Sequence, residues 1–253
     1  CGKDRIHPST DGHLVMAYLF LKAQGLAGKP VADIRIDGAG KKVTRSDNCR
    51  VSDLSVSSDN LTFTYEAKSL PYPIDTSYYD NEKHTQADAL SVIPFMDEMN
   101  YEGLSVSGLS DGYYGLTIGG EFIGRFTARE LERGINMALL QNTPQYKQAM
   151  KIRQMNEERW LKERKMREFY WVEYNLMRKT GMLWACNEAA VDTLRKYRPH
   201  DIFLQWNGDL WLQYMHKGIR EDCVNEQQDL VNQIYEQNKP IPLRIEIKKF
   251  TDL

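Results

Sequence analysis

The chain has 253 residues, of which 42% are hydrophobic and 27% charged, and its formal net charge is -2. That is enough polypeptide for one large or two medium domains, each with its own core. The near-neutral balance excludes a global field drawing in nucleic acid or an anionic membrane, and no apolar run is long enough to span a bilayer.

The chain opens on Asp4-Arg5-Ile6-His7-Pro8, followed by Ser9-Thr10-Asp11-Gly12-His13. A carboxylate three residues before a histidine, on a loop feeding a helix, can lie on the same side of the backbone. Asp4 would then hold one imidazole nitrogen of His7 through a direct hydrogen bond and leave the other free to take a proton from a hydroxyl nucleophile. As bare spacing the pair is common, and an ordinary loop pair is the alternative. The helix that follows is capped by Ser9, Thr10 or Asp11, carries Leu14, Tyr18 and Leu21 on one face, and ends at Gly25. Asp4, His7 and His13 match no metal-ligand spacing, so no metal and no cofactor are expected.

Residues 28–127 read as short strands of a sandwich-like domain. Alternation marks Val31–Asp37, Val51–Val56 and Leu61–Tyr65, and a Gly119-Gly120 turn joins Tyr114–Ile118 to Phe122–Phe126 as a hairpin. The Tyr- and Pro-rich stretch from Leu70 to Thr85 interrupts them as a long loop. Tyr72, Tyr78 and Tyr79 on it are either a covering flap or a ligand-facing wall.

From Thr127 the period becomes helical. Thr127-Ala128-Arg129-Glu130 forms a capping box, and Thr143-Pro144 opens a long helix with no Gly or Pro before Gly181. Its charged middle implies an exposed stretch or a bend. Further helices are expected at 183–197, 208–217 and 221–237, after which Leu243–Ile247 alternates like a strand able to join a sheet. Basic side chains around Trp160 in Lys147–Glu168 are interleaved with glutamates at helix-pairing distance, which favours a solvated helix face over a nucleic-acid surface. Phe203, Trp206, Trp211 and Tyr214 beside Asn207-Gly208-Asp209 suit helix core first and a sugar platform second. His84, His200 and His216 fall in no motif and read as structural or exposed.

Four cysteines, Cys1, Cys49, Cys186 and Cys223, show no C-x-x-C pair. Cys186 and Cys223, both in expected helices, are the two that an oxidising compartment could join; buried free thiols are the simpler reading.

The string D-x-x-H-P, a Gly-His pair and an apolar helix ending near Gly25-Leu26 closely resembles the last block of SGNH (GDSL-type) hydrolases over roughly the first 27 residues. The resemblance makes residues 1–27 the end of an SGNH α/β (flavodoxin-like) domain; with the periodicity above, the chain is expected to be α+β in three parts, continuing with 28–127 as a β-sandwich-like domain and 128–253 as a helical region. The resemblance also implies a serine ester hydrolase with His7 and Asp4 as catalytic partners; the Tyr- and Pro-rich loop adds Tyr72, Tyr78 and Tyr79 as candidate substrate contacts. The implied partners are an ester substrate, with an acylated sugar as a candidate, and an upstream hydrolase segment; the implied location is secreted, periplasmic or cell-surface. The family's G-D-S and G-x-N-D motifs are absent, since Gly208-Asp209 is followed by Leu210. The expectation is therefore the C-terminal part of a larger enzyme, inactive alone. A non-catalytic polysaccharide- or protein-binding module carrying a hydrolase remnant is the alternative.

Overall fold

The computed structural model describes residues 6–77 and 84–250. They form a mixed α+β structure with two sheets and a C-terminal helical region, divided into two compact units, Cys1–Lys151 with Asn238–Leu253, and Ile152–Gln237.

In the first unit, helix α1 (Thr10–Ala23) precedes strands β1 (Ala32–Asp37), β2 (Lys42–Asp47), β3 (Cys49–Val56) and β4 (Asn60–Ala67). A 3-10 turn (Gln86–Ser91) and the single-turn helix α2 (Phe95–Glu98) lead to β5 (Glu102–Ser107), β6 (Tyr113–Ile118), β7 (Glu121–Thr127), helix α3 (Ala128–Arg133) and β8 (Ile135–Asn136). Helix α4 (Pro144–Val172) starts here and runs on into the second unit, and β9 (Leu243–Lys249) returns to the first.

One sheet has the order β2-β1-β5-β8, with β1 and β5 parallel; the other is antiparallel, β3-β4-β9-β6-β7. Period-2 alternation turns Ile34, Ile36, Leu104 and Val106 of the first sheet into the same core as Leu61, Phe63, Leu116, Ile118, Ile245 and Ile247 of the second. The chain changes sheets at Asn48, whose φ of 52° lies in the left-handed region that asparagine tolerates. Its side-chain amide donates to the Val31 carbonyl at 2.9 Å and to Ser69 Oγ at 3.1 Å, which fixes the corner.

β9 lies in the middle of its sheet. Ile245 stands opposite Phe63 on β4 and Ile118 on β6, and Ile247 opposite Leu61 and Leu116. The stretch 28–127 therefore does not complete its own sheet, and the compact units are cut elsewhere than at residues 27 and 127.

In the second unit the rest of α4 passes into a π-helical turn, Glu173–Met177, followed by α5 (Glu188–Tyr197), a 3-10 turn (Arg198–His200), α6 (Ile202–Tyr214) and α7 (Lys217–Gln237). Met166, Phe169, Val172, Leu194, Leu204 and fully buried Trp211 form the core. Buried Glu173 accepts from Trp211 Nε1 and from the Trp184 backbone N–H, both at 2.8 Å. The expected start at residue 208 is corrected to 202, because Asp201 caps the helix by accepting from Phe203 N at 2.8 Å and Leu204 N at 3.2 Å. Gly208 sits inside α6 where Arg198 lies across it; a Cβ there would meet the guanidinium side chain at 3.2 Å.

The charged face of α4 is paired within the unit. Arg153–Glu157, Arg159–Glu163 and Arg164–Glu168 bridge along the helix, and Lys162 reaches Glu226 on α7 at 2.7 Å. Cys49 and Cys223 are buried free thiols; Cys186 is free but exposed and precedes the α5 cap, Asn187, so it is neither bridged nor helical. No helix among the described residues is long and apolar enough to cross a membrane.

Candidate active site

The site begins at the entry to α1. Ser9, extended and buried, precedes the first turn, and Asp11 in that turn accepts from the Gly12 backbone N–H at 2.8 Å and from Ser9 Oγ. Burial opposes ionisation of Asp11, but the Ser9 and Gly12 hydrogen bonds outweigh it, and with His84 nearby they hold the carboxyl below its usual range. The helix is anchored by Leu14 and Tyr18, which pack with Ile74, Ile93, Phe95 and Met96. Tyr18 Oη and Lys22 Nζ both donate to Glu98 at 2.7 Å, tying α1 to α2. Its opposite face leaves Met16, Leu19 and Phe20 more than half exposed.

His7 lies on the exposed approach to this helix, two residues before Ser9, and His13 is exposed on the helix itself. Asp4 lies outside the described residues, as do Tyr78 and Tyr79. The structure supplies one pairing that sequence motifs do not signal: His84 Nδ1 stands 3.7 Å from Asp11 Oδ2. His84, which falls in no sequence motif, thus faces a carboxylate that comes from a distant part of the chain.

Tyr72 has ties of its own. Its ring meets Phe95 edge-on at 5.7 Å, its hydroxyl accepts from Gln86 Nε2 at 2.7 Å, and its backbone N–H and carbonyl are both held by the fully buried side chain of Asn100. Tyr146 Oη donates to the Ile74 carbonyl at 2.8 Å. The loop around Tyr72 is therefore pinned as a cover over the small core beneath α1, with the residue itself 41% exposed.

Two other constellations carry chemically able groups. Cys186 Sγ and His216 Nδ1 lie 3.4 Å apart on the surface of the second unit, a thiol–imidazole pair that spacing did not reveal. Glu102, fully buried on β5, accepts from Tyr65 Oη at 2.8 Å and Gln145 Nε2 at 3.2 Å, while its Oε2 and the Gln145 Oε1 have no hydrogen-bond partner among the described residues. Burial raises its carboxyl from the usual 4.5 to about 7, against the lowering effect of those two hydrogen bonds. A perturbed acid is often catalytic, but this one is sealed inside the sandwich core where no substrate reaches it.

The sealed acid has a consequence for stability. A carboxyl whose folded pKa is raised stabilises the fold fully below about 4.5, and that contribution is lost as pH rises through about 7. Unfolding free energy is expected to fall by about 3 kcal/mol between pH 5 and 8 from this group. Glu102→Gln should remove that slope in denaturant titrations; an unchanged slope would assign the pH dependence elsewhere.

Among the described residues no group of three or more His, Cys, Asp or Glu side chains is placed to hold a metal ion. The family model for the diltiazem deacetylase C-terminal helical domain matches residues 150–239. A solved structure, BT4096, a gut microbial diltiazem-metabolizing enzyme, is similar over 99% of this chain at 41% identity, with a TM-score of 0.92. The chain spans 57% of the length of that protein. No curated protein matches it. These findings overturn the SGNH (GDSL-type) resemblance drawn from the first 27 residues: the likeness runs instead to a diltiazem-metabolizing enzyme and, over residues 150–239, to the diltiazem deacetylase helical domain. A short D-x-x-H-P string is too little sequence to outweigh a match over nearly the whole chain.

Proposed function

We propose that this chain is part of a hydrolase that removes an acyl group, acetyl above all, from a small organic ester. The supporting observation is its 41% identity, over 99% of its length, to a diltiazem-metabolizing enzyme; the helical region is similar to a domain of a deacetylase.

In this reading His7 is the base and Asp4 orients it, with nucleophile and oxyanion donors supplied from outside these 253 residues. A hydroxyl oxygen attacks the acyl carbonyl carbon as its proton passes to a ring nitrogen of His7. The imidazolium returns that proton to the leaving alkoxide as the C–O bond breaks. Water, deprotonated by the same nitrogen, then attacks the acyl-enzyme; the carboxylic acid departs as the proton goes back to the nucleophile's oxygen. Asp4 stabilises the imidazolium in both halves. Tyr72 enters as support for the α1 region, its hydroxyl oxygen accepting from Gln86 Nε2.

Acetate release from diltiazem and from p-nitrophenyl acetate, measured on the longest natural polypeptide containing this chain, tests the reading. Saturable hydrolysis of either ester is the expected result. No release above buffer from both would overturn it.

A further inference from the structure

The second unit contains a pocket of about 370 Å³ that plays no part in the proposed hydrolysis. Its wall is built where α4 gives way to the π-helical turn. Trp171 comes from the last turn of α4, Asn175 and Leu176 from the wide turn itself, and Lys179 and Thr180 from the residues just after it. Tyr197, His200, Asp201 and Leu204 close the other side from the end of α5 and the start of α6. A π-turn costs hydrogen-bond geometry and is found disproportionately where a helix must reshape a site. Here it puts consecutive positions Asn175 and Leu176 on the pocket wall.

The lining has a definite chemical bias. Trp171, Leu176, Tyr197 and Leu204 offer apolar and aromatic surface, which suits a flat ring. The Trp171 ring packs against Phe203, centroid to centroid 5.2 Å. The polar groups are unequal. Asp201 is already engaged, accepting from two backbone N–H groups at the start of α6. The Thr180 hydroxyl donates to the Leu176 carbonyl at 3.0 Å, and the Asn175 amide donates to the Trp171 carbonyl at 3.0 Å. Lys179 and His200, in contrast, make no hydrogen bond or ion pair with the described residues. Two cation-capable side chains are therefore unengaged, together with the Trp171 indole N–H and the Tyr197 hydroxyl, while the lining carboxylate, Asp201, caps α6 through its Oδ1.

We propose that this pocket binds a small aromatic anion, its ring against Trp171 and Tyr197 and its carboxylate or sulfonate on Lys179. The proposal does not depend on the hydrolase reading, because every group in it belongs to the helical unit and its readout is binding.

Three probes of one shape decide it: 2-naphthoate, the neutral 2-naphthamide and the cationic 2-naphthylmethylamine, titrated into the full chain by calorimetry. Naphthoate should bind, and bind about tenfold more tightly than the amide, the effect of one charge-assisted hydrogen bond. Lys179→Met, an exposed change that leaves the core intact, should bring naphthoate down to the amide's affinity. Trp171→Ala should weaken all three probes together, with circular dichroism confirming that the helices persist. Absence of naphthoate binding at millimolar concentration, equal affinity for anion and cation, or an unchanged affinity in Lys179→Met would each overturn the assignment.

Discussion

Under the proposed hydrolysis, replacing His7 with alanine in the longest natural polypeptide containing this chain is expected to lower ester turnover on the order of 10⁴-fold or more, the scale of losing the proton-transfer partner of a hydroxyl nucleophile. The loss should fall on kcat, since no substrate contact goes with the imidazole. His13→Ala and His84→Ala serve as controls. Both side chains are exposed within the same region, and His84 pairs with a carboxylate, Asp11, that also serves the first turn of α1. If His84→Ala abolished turnover while His7→Ala did not, the Asp11–His84 pair would replace Asp4–His7 as the orienting unit. Asp4→Asn should be severe as well, because the histidine would lose the charge that stabilises its protonated form.

Trp211→Ala is expected to destabilise the helical unit by about 3–5 kcal/mol, the usual cost of deleting a large buried aromatic. The ring is fully buried in the core of that unit. Its indole N–H also satisfies Glu173 at 2.8 Å, so the substitution empties a cavity and leaves a buried carboxyl short of a partner. Trp211→Phe separates the two effects: it keeps most of the volume and should cost about 1–3 kcal/mol for the lost donor. Hydrogen exchange on the intact chain reads this directly, with protection falling around Phe169, Leu194 and Leu204. Protection there matching the wild type in Trp211→Ala would remove Trp211 from the role of central packing residue.

What could be read from the sequence is what local chemistry decides. The Gly119-Gly120 hairpin forms because both glycines take positive φ, 59° and 84°. The Thr127–Glu130 capping box closes as its spacing dictates, with Glu130 N donating to Thr127 Oγ1 at 3.1 Å and Glu130 accepting from Thr127 N at 2.7 Å. The start of α4 at Pro144 follows from the Thr143-Pro144 pair. Features made by distant residues left no local mark. Glu102 stands in an ordinary alternating strand, and nothing in its neighbours says that Tyr65 and Gln145 will enclose it. His84 meets Asp11, and Cys186 meets His216, only through the tertiary fold. The expected helix began at Gly208, but α6 starts at Ile202, with Arg198 lying over Gly208 and binding Asp209 at 2.6 Å and 2.7 Å. At the functional end the resemblance carried by a few residues named a wrong family, although the proton-transfer chemistry read from His7 stands as a proposal independent of that name.

The central position of β9 bears on how the protein emerges during synthesis. Until residues 243–249 leave the ribosome, β4 and β6 have no strand between them, and the apolar rows of Leu61, Phe63, Leu116 and Ile118 face an open slot. The whole helical unit, Ile152–Gln237, is translated during that interval. An unpaired apolar edge held open for so long is the kind of surface that chaperones capture and that pairs wrongly between neighbouring nascent chains. A clone shortened at Pro240 would keep every helix yet never close its second sheet.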